Sequence, residues 1–389
     1  MMNYLLIKNA NAIIGDNIVS CNILINGDII EDMNFSDEMP ENCEVIDANG
    51  NFVSAGFIDL HVHGGGGYDF MDCTKEAFEG ISKTHLLNGT TTLLPTAVSS
   101  EFKDLIKLIR TYKEFAKDCP NFYGIHLEGP YISKEKKGAH KEHLLHSPCD
   151  EETEALLAEG AGIIKRITAA PELENMYPFA KKMLENDIKM SVGHSDATSD
   201  IALDAFKNGF SHITHLYSST TTVRKINQVI KAGVLEAAYL DDNVTVELIA
   251  DGRHAAVDAL KLAIKIKGTD KVAFVTDALR PAGTDVKESY LGEIKEENRV
   301  IIEDGVAKLP DRSSFAGSIA TLATILERGV NHYGLSITDT IKMITKTPAD
   351  ILGITNKGEL KNGYIADITI FDSNLKIVNV ILHGNLVKN

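Results

Sequence analysis

From about residue 52 onward, short apolar runs alternate with stretches of helical periodicity. Eight of the runs have β character: NFVSAGFIDLHVH (51–63), TTLLPTAV (91–98), NFYGIHLE (121–128), IIKRITAAPE (163–172), IKMSVGHS (188–195), SHITHLYS (211–218), TVELIADG (245–252) and KVAFVTDA (271–278). Between them lie amphipathic segments such as EFKDLIKLIRTYKEFAKD (101–118), where Phe102, Leu105, Ile106 and Ile109 keep helical spacing. Strand and helix patterns in alternation are the trace of βα units around a parallel sheet. Eight such units predict an α/β chain folded as a (β/α)8 TIM-type barrel.

The two ends follow a different pattern. Residues 1–50 alternate apolar and polar side chains between turn signals at Ile14-Gly15-Asp16 and Asn26-Gly27-Asp28, and GELKNGYIADITIFDSNLKIVNVILHGNLVKN (358–389) does the same. Each end is too short for a β domain of its own. They are therefore expected to pair, residues 1–52 with 355–389, into a small β-sandwich domain beside a barrel over 53–354. LGEIKEENRVIIEDGVAKLPD (291–311) reads as a β-hairpin insertion, about 290–311, over the active face of the barrel, with helices resuming near Gly317.

Composition narrows the function classes. A chain of 389 residues with 44% hydrophobic side chains can bury a large core. Its formal net charge of −16 repels a polyanion, which argues against nucleic acid as a partner. An anionic small substrate would need its own basic pocket. Five scattered cysteines (Cys21, Cys43, Cys73, Cys119, Cys149) form no CxxC, so they read as thiols of a reducing cytoplasm rather than as ligands or disulfides. The opening MMNYLLIKNANAII lacks a basic, long-apolar signal pattern, and no 18-residue apolar run occurs, so neither export nor a membrane span is expected.

The chemistry collects at strand ends. Glu128, His194, His215 and Asp277 each sit just past or at the end of an apolar run, and in a parallel barrel those ends converge on one mouth. A lone histidine is more often an ordinary polar residue, but three metal-competent residues at such ends change that balance. Imidazole and carboxylate suit a divalent ion with an open position for water. Asp277, closing the eighth run, is the candidate general acid/base. Its alternative is an N-cap. His61 and His63 are two apart, so both imidazoles point to one side of an extended strand and could complete a metal site. Asp59, His126 and His212 lie further back and read as hydrogen-bonding groups. His254, after the seventh run, is a candidate substrate contact, while Gly64 to Gly67 read as a tight bend, not a phosphate loop.

Taken together, GFIDLHVHG (56–64), HLEGPYIS (126–133), KKGAH (136–140), VGHSDAT (192–198), THLY (214–217), ADGRH (250–254), VTDA (275–278) and FAGS (315–318) make the chain resemble the N-acetylglucosamine-6-phosphate deacetylases of the amidohydrolase superfamily over nearly its full length. That resemblance implies a barrel with a β-sandwich built from both termini. It implies a divalent cofactor (zinc, iron, manganese or cobalt, one or two per subunit) with Glu128, His194 and His215 on the principal ion and His61 and His63 on a second. It further implies Asp277 as proton acceptor and donor, His254 on substrate, and substrate contacts near Ala139 and at Phe315, Ala316 and Gly317. The expected partners are a small amino sugar phosphate and a second subunit in a homodimer, with neither nucleic acid nor membrane. One stretch departs from the pattern. After THLY the family continues Asn-Ala-Met and later carries an arginine in a His-Arg-Glu-Pro-Gly-like segment, whereas this chain reads SSTTTVRKINQ (218–228). Ser218 and Ser219 would then face the sugar phosphate, with Arg224 or Lys225 as the cation from its own or the partner subunit.

The reading is thus deacetylation of an N-acetyl amino sugar 6-phosphate, most simply N-acetylglucosamine 6-phosphate. Another N-acetyl hexosamine, phosphorylated or not, is one alternative. A cyclic-amide hydrolase or deaminase with a carbamylated lysine would need a lysine at the fourth strand's end, and Lys165 lies near its start. A metal-binding scaffold without activity would have no use for Asp277.

Overall fold

The computed structural model describes residues 4–36 and 38–387. Eight parallel strands, Phe57–Val62, Thr90–Ala97, Ile125–Glu128, Ile164–Ala169, Lys189–Val192, Phe210–Ile213, Thr245–Ile249 and Val272–Val275, pair in chain order. They coincide with the eight apolar runs. The ring closes where the first strand meets the segment after the eighth: the Asp277 amide donates to the His61 carbonyl at 3.0 Å, and Val62 bridges Ala278. The chain is α/β, a TIM-type barrel.

Helices pack outside because their apolar stripes face the strands. In Phe102–Phe115, Leu105, Leu108, Ile109 and Tyr112 are buried at i, i+3, i+4 and i+7 while its lysines face solvent. Lys75–Leu87 begins at Thr74, whose hydroxyl accepts from the Ala77 amide at 3.2 Å, a standard N-cap. The glycine run makes a tight hairpin of Gly64–Gly65 against Tyr68–Asp69. A Cβ on Gly64 would lie 2.3 Å from the Tyr68 carbonyl oxygen, so only glycine fits there.

Both ends of the chain contribute to one sheet. Tyr4–Ile14 pairs with Asn17–Asn26, with Glu44–Asp47 and with Phe52–Ala55, which in turn pairs antiparallel with Ile368–Phe371 from the far end. The sheet curls until Ile29 bridges Ile365, enclosing a separate apolar core that includes Ile7, Ile23, Ile25, Val53, Ile368 and Ile370. Phe371 joins this sheet to the barrel. Its ring stacks on Phe52 at 5.6 Å and meets Phe57 of the first barrel strand at 6.5 Å.

The insertion after the eighth strand is larger than the expected hairpin. Glu288–Tyr290 and Phe315–Ser318 flank the central pair Arg299–Glu303 and Val306–Lys308 in a four-stranded antiparallel sheet. The outer strands are three and four residues long, too short to show alternation in sequence. The last of them returns to the barrel, with the Ser318 amide donating to the Asp277 carbonyl at 2.9 Å. That anchor sets Phe315 to Gly317 beside the mouth. No helix among the described residues is long and apolar enough to cross a membrane.

The Phe371 seam yields the first prediction. Phe371→Ala removes a fully buried ring between the two cores and should destabilise the protein by about 3–5 kcal/mol in denaturant unfolding. A loss below about 1 kcal/mol would show that the two parts stand independently.

Candidate metal and active site

The side chains at the mouth are aimed by an unusual backbone. His194, His215 and Asp277 have φ of 48°, 29° and 49°, each two residues beyond its strand. Non-glycine residues in this left-handed region cost on the order of 1–3 kcal/mol each and persist where the surroundings over-determine them. Here the turn swings each side chain toward the barrel axis. Gly138, at φ 56°, packs against one of them, and a Cβ there would lie 3.2 Å from the His194 ring.

Glu128 is the hub. Its Oε1 lies 2.8 Å from His215 Nε2 and 3.2 Å from His194 Nε2. Its Oε2 lies 3.1 Å from His63 Nε2, 3.4 Å from His61 Nε2 and 3.6 Å from His140 Nε2. Asp277 Oδ1 adds a second carboxylate 3.2 Å from His63 Nε2. Two overlapping trios, Glu128 with His194 and His215 and Glu128 with His61 and His63, could each hold a metal ion.

Whether these donors fit a cation follows from their outer nitrogens. His194 Nδ1 lies 2.8 Å from the Lys136 carbonyl and His215 Nδ1 lies 3.1 Å from the Ser218 carbonyl. A carbonyl only accepts, so both Nδ1 atoms carry the hydrogen. In the neutral ring each Nε2 then presents a lone pair to a carboxylate oxygen. His61 repeats the pattern, its Nδ1 donating to Glu247 Oε1 at 2.8 Å. Lone pairs converging on lone pairs call for a cation between them. The electrostatics agree. Burial opposes ionisation of Glu128, but His61 and the hydrogen bonds of His140, His194 and His215 hold its pKa well below the usual carboxylate range. Burial likewise opposes protonation of His63, yet its bonds to Asp277 and Glu128 push it up to about 9. Without an ion the carboxylates draw protons onto His61, His63 and His215, while burial and the neighbouring His140 hold His194 down at about 4. A divalent cation supplies that charge instead.

One cavity faces this cluster. Of the residues expected from sequence to hold metal, move the proton or contact substrate, all line it except His61, which is fully buried beneath, and Arg224 and Lys225, which lie outside it. His254 is fixed by Asp251, its Nδ1 2.8 Å from Oδ2, and its ring meets Phe315 edge-on at 4.9 Å. Ala139, Ser218, Ser219, Ala316 and Gly317 line the same cavity. The Arg224 guanidinium instead forks onto Asp196, with Nη2 2.9 Å from Oδ2 and 2.6 Å from the Asp196 carbonyl. The stretch read as a phosphate arm is a hairpin, Arg224–Ile226 with Val229–Lys231. Its cation is already engaged within its own chain. His126 and His212 lie deeper, bonded to Thr168 and Thr245 hydroxyls at 2.7 Å, and Asp59 accepts from the Thr276 hydroxyl at 2.7 Å.

Three contributors were not anticipated. His140 accepts the Ser99 amide hydrogen at Nδ1 over 3.4 Å, leaving its Nε2–H to point at Glu128 and the cavity. Glu247 and Arg166, both fully buried, form an ion pair beneath the cluster. A charged residue inside each of two apolar runs was their visible signal. The fourth strand sends Thr168 toward the mouth, while Lys165 lies with its ammonium 5.4 Å over the Tyr123 ring. Its place over Tyr123 agrees with the sequence argument against a carbamylated-lysine hydrolase.

Fold and site together define a hydrolase of the amidohydrolase family, and the chain belongs to that family, whose profile matches residues 52–387. The chain is similar to N-acetylglucosamine-6-phosphate deacetylase from Haemophilus influenzae, 30% identical over 94% of both chains. It is likewise similar to N-acetylgalactosamine-6-phosphate deacetylase from Shewanella sp. (strain ANA-3), 30% identical over 86% of this chain and 82% of that one. The crystal structure of N-acetylglucosamine-6-phosphate deacetylase from Pasteurella multocida superposes with a TM-score of 0.91 at 29% identity, covering 99% of this chain and 100% of the other. Within the amidohydrolases, the chain belongs to the N-acetylglucosamine-6-phosphate deacetylase family.

His194→Ala should lower bound metal and hydrolysis together while the circular dichroism of the barrel is retained, because the three principal donors come from separate strands. Full metal content in that variant would remove the proposed site.

Proposed function

We propose that the protein cleaves the acetamide of N-acetylglucosamine 6-phosphate to glucosamine 6-phosphate and acetate, with Asp277 as the proton-transferring residue. The observation that carries this reading is that Asp277 and the Glu128 cluster open onto the same cavity as His254. A divalent ion held by Glu128, His194 and His215, with room for a second at His61, His63 and Glu128, supplies Lewis acidity and acidifies a water that it binds. Zinc, iron, manganese and cobalt all suit this donor set.

The chain's own residues do the rest. Asp277 takes a proton from the attacking water as its oxygen bonds to the acetyl carbon, then returns it to the nitrogen as the C–N bond breaks. His254, locked by Asp251, and His140, locked by Ser99, present N–H groups to the acyl oxygen or the sugar. Phe315 closes the side of the cavity over His254 and limits water. Ser218 and Ser219 offer donors to the phosphate at the rim.

A homodimer with the phosphate grip completed across subunits is part of the proposal. The hairpin beside the rim carries Val229 and Ile230 at 56% and 69% exposure, more apolar surface than an isolated turn needs. Next to them Lys225 forms no ion pair among the described residues and can serve a partner's site. The five free cysteines support a cytoplasmic setting. N-acetylgalactosamine 6-phosphate is the second reading, favoured by a relative of equal identity.

Three experiments test this. Amine release screened over both N-acetyl hexosamines, with and without the 6-phosphate, should favour N-acetylglucosamine 6-phosphate. Asp277→Asn should keep its metal and lose ~10²–10⁴-fold in kcat, and near-normal turnover would assign the proton to another group. Ile230→Asp should shift the protein toward monomer in sedimentation and raise KM for the phosphosugar more than it lowers kcat. A monomeric wild type would sink the shared phosphate grip and leave the chemistry standing.

A further inference from the structure

Beneath the mouth lies a buried charge pair that the proton chemistry does not use. Glu247, in the seventh barrel strand, and Arg166, in the fourth, are both fully buried. Arg166 holds Glu247 with Nη1 and with Nη2, the latter 3.2 Å from Oε1. Glu247 then bonds upward to His61 Nδ1 at 2.8 Å and to the His215 amide at 3.2 Å, and sideways to His212 Nε2 at 3.2 Å. The contrast with His63 is informative: its Nδ1 is buried with no hydrogen-bond partner among the described residues. In the His61–His63 pair, only His61 has its Nδ1 held by a carboxylate.

The tautomer of His61 depends on that bond. A carboxylate accepts a hydrogen bond from Nδ1–H, which keeps the hydrogen on Nδ1 and leaves the Nε2 lone pair free toward Glu128 and His63. Arg166 Nη2 stands 3.5 Å from the same Nδ1. A guanidinium only donates, so without Glu247 it would favour the opposite tautomer, with a hydrogen on Nε2 and no lone pair for a cation. Glu247 therefore does two things at once: it accepts from Nδ1 and occupies the competing donor.

We infer that Glu247, braced by Arg166, is a positioning residue that fixes His61 as a ligand and thereby makes the His61–His63–Glu128 trio able to take a second divalent cation. This rests on the metal reading above and adds to it the determinant of the second site. Carboxylates bonded to a ligating histidine typically contribute about 10–100-fold in metal affinity.

The test is titration of the metal-free full-length protein with cobalt(II), followed by visible absorption and by equilibrium dialysis with metal analysis. Two variants avoid leaving a lone buried charge, since neutral replacement of a buried ion pair is commonly tolerated: Arg166→Met with Glu247→Gln, which keeps an acceptor for Nδ1–H, and Arg166→Met with Glu247→Leu, which does not. Thermal unfolding of both should stay close to wild type. Wild type should take two equivalents. The Gln variant should keep the weaker one within about tenfold, and the Leu variant should lose about 10–100-fold at that site with an altered cobalt spectrum. Two wild-type-like equivalents in the Leu variant, or equal losses in both variants, would overturn the inference, as would a single equivalent in wild type. A wild type that takes no cobalt would overturn the metal reading as well.

Discussion

Burying carboxylates without stranding their charge is the constraint on which this site depends. Glu128 and Glu247 lie in a barrel interior where an isolated carboxylate would be prohibitively costly. Each is surrounded by donors instead. Imidazoles converge on Glu128 from above, and Arg166, His61, His212 and the His215 amide converge on Glu247 from below. His61 belongs to both sets, with one nitrogen in each. The interior is therefore layered, with a charge-balanced lower floor supporting an upper one whose donor set suits a cation.

The mouth geometry follows from that layering. Parallel strands put all their C-terminal ends on one face, and the left-handed backbone two positions beyond three of them turns His194, His215 and Asp277 inward. The strain is held by the neighbouring contacts: Lys136 and Ser218 carbonyls on the imidazoles, and the Asp277 amide tied to His61 across the barrel seam. The insertion sheet is anchored at the carbonyl of the same Asp277. The Asp277 carboxylate, the barrel closure and the anchor of the cavity wall thus share one short segment.

Much of this was legible in the residues. Eight apolar runs became eight strands, because a strand buried on both faces reads as continuous hydrophobicity. Glu128, His194, His215 and Asp277 were visible because polar groups stood where those runs stopped. Glu247 and Arg166 were hidden by the same logic. Each lies inside a run, where one charged residue resembles an interruption, and their partnership spans 81 positions in the chain. His140 sits in a loop whose approach to Glu128 no periodicity encodes. Arg224 failed differently, since its segment departs from the family pattern, and the nearby Asp196 captured its guanidinium.

The pairing of Phe52–Ala55 with Ile368–Phe371 carries a consequence for biosynthesis. Val53 leads directly into the first barrel strand, yet its hydrogen-bonding neighbour, Ile370, is translated only after the whole barrel. Loop closure over such a separation is slow relative to local helix formation. On the ribosome Phe52–Ala55 must therefore wait, with one edge unpaired, until the whole barrel has been made. That exposed strand edge is where a chaperone would find the unfinished chain.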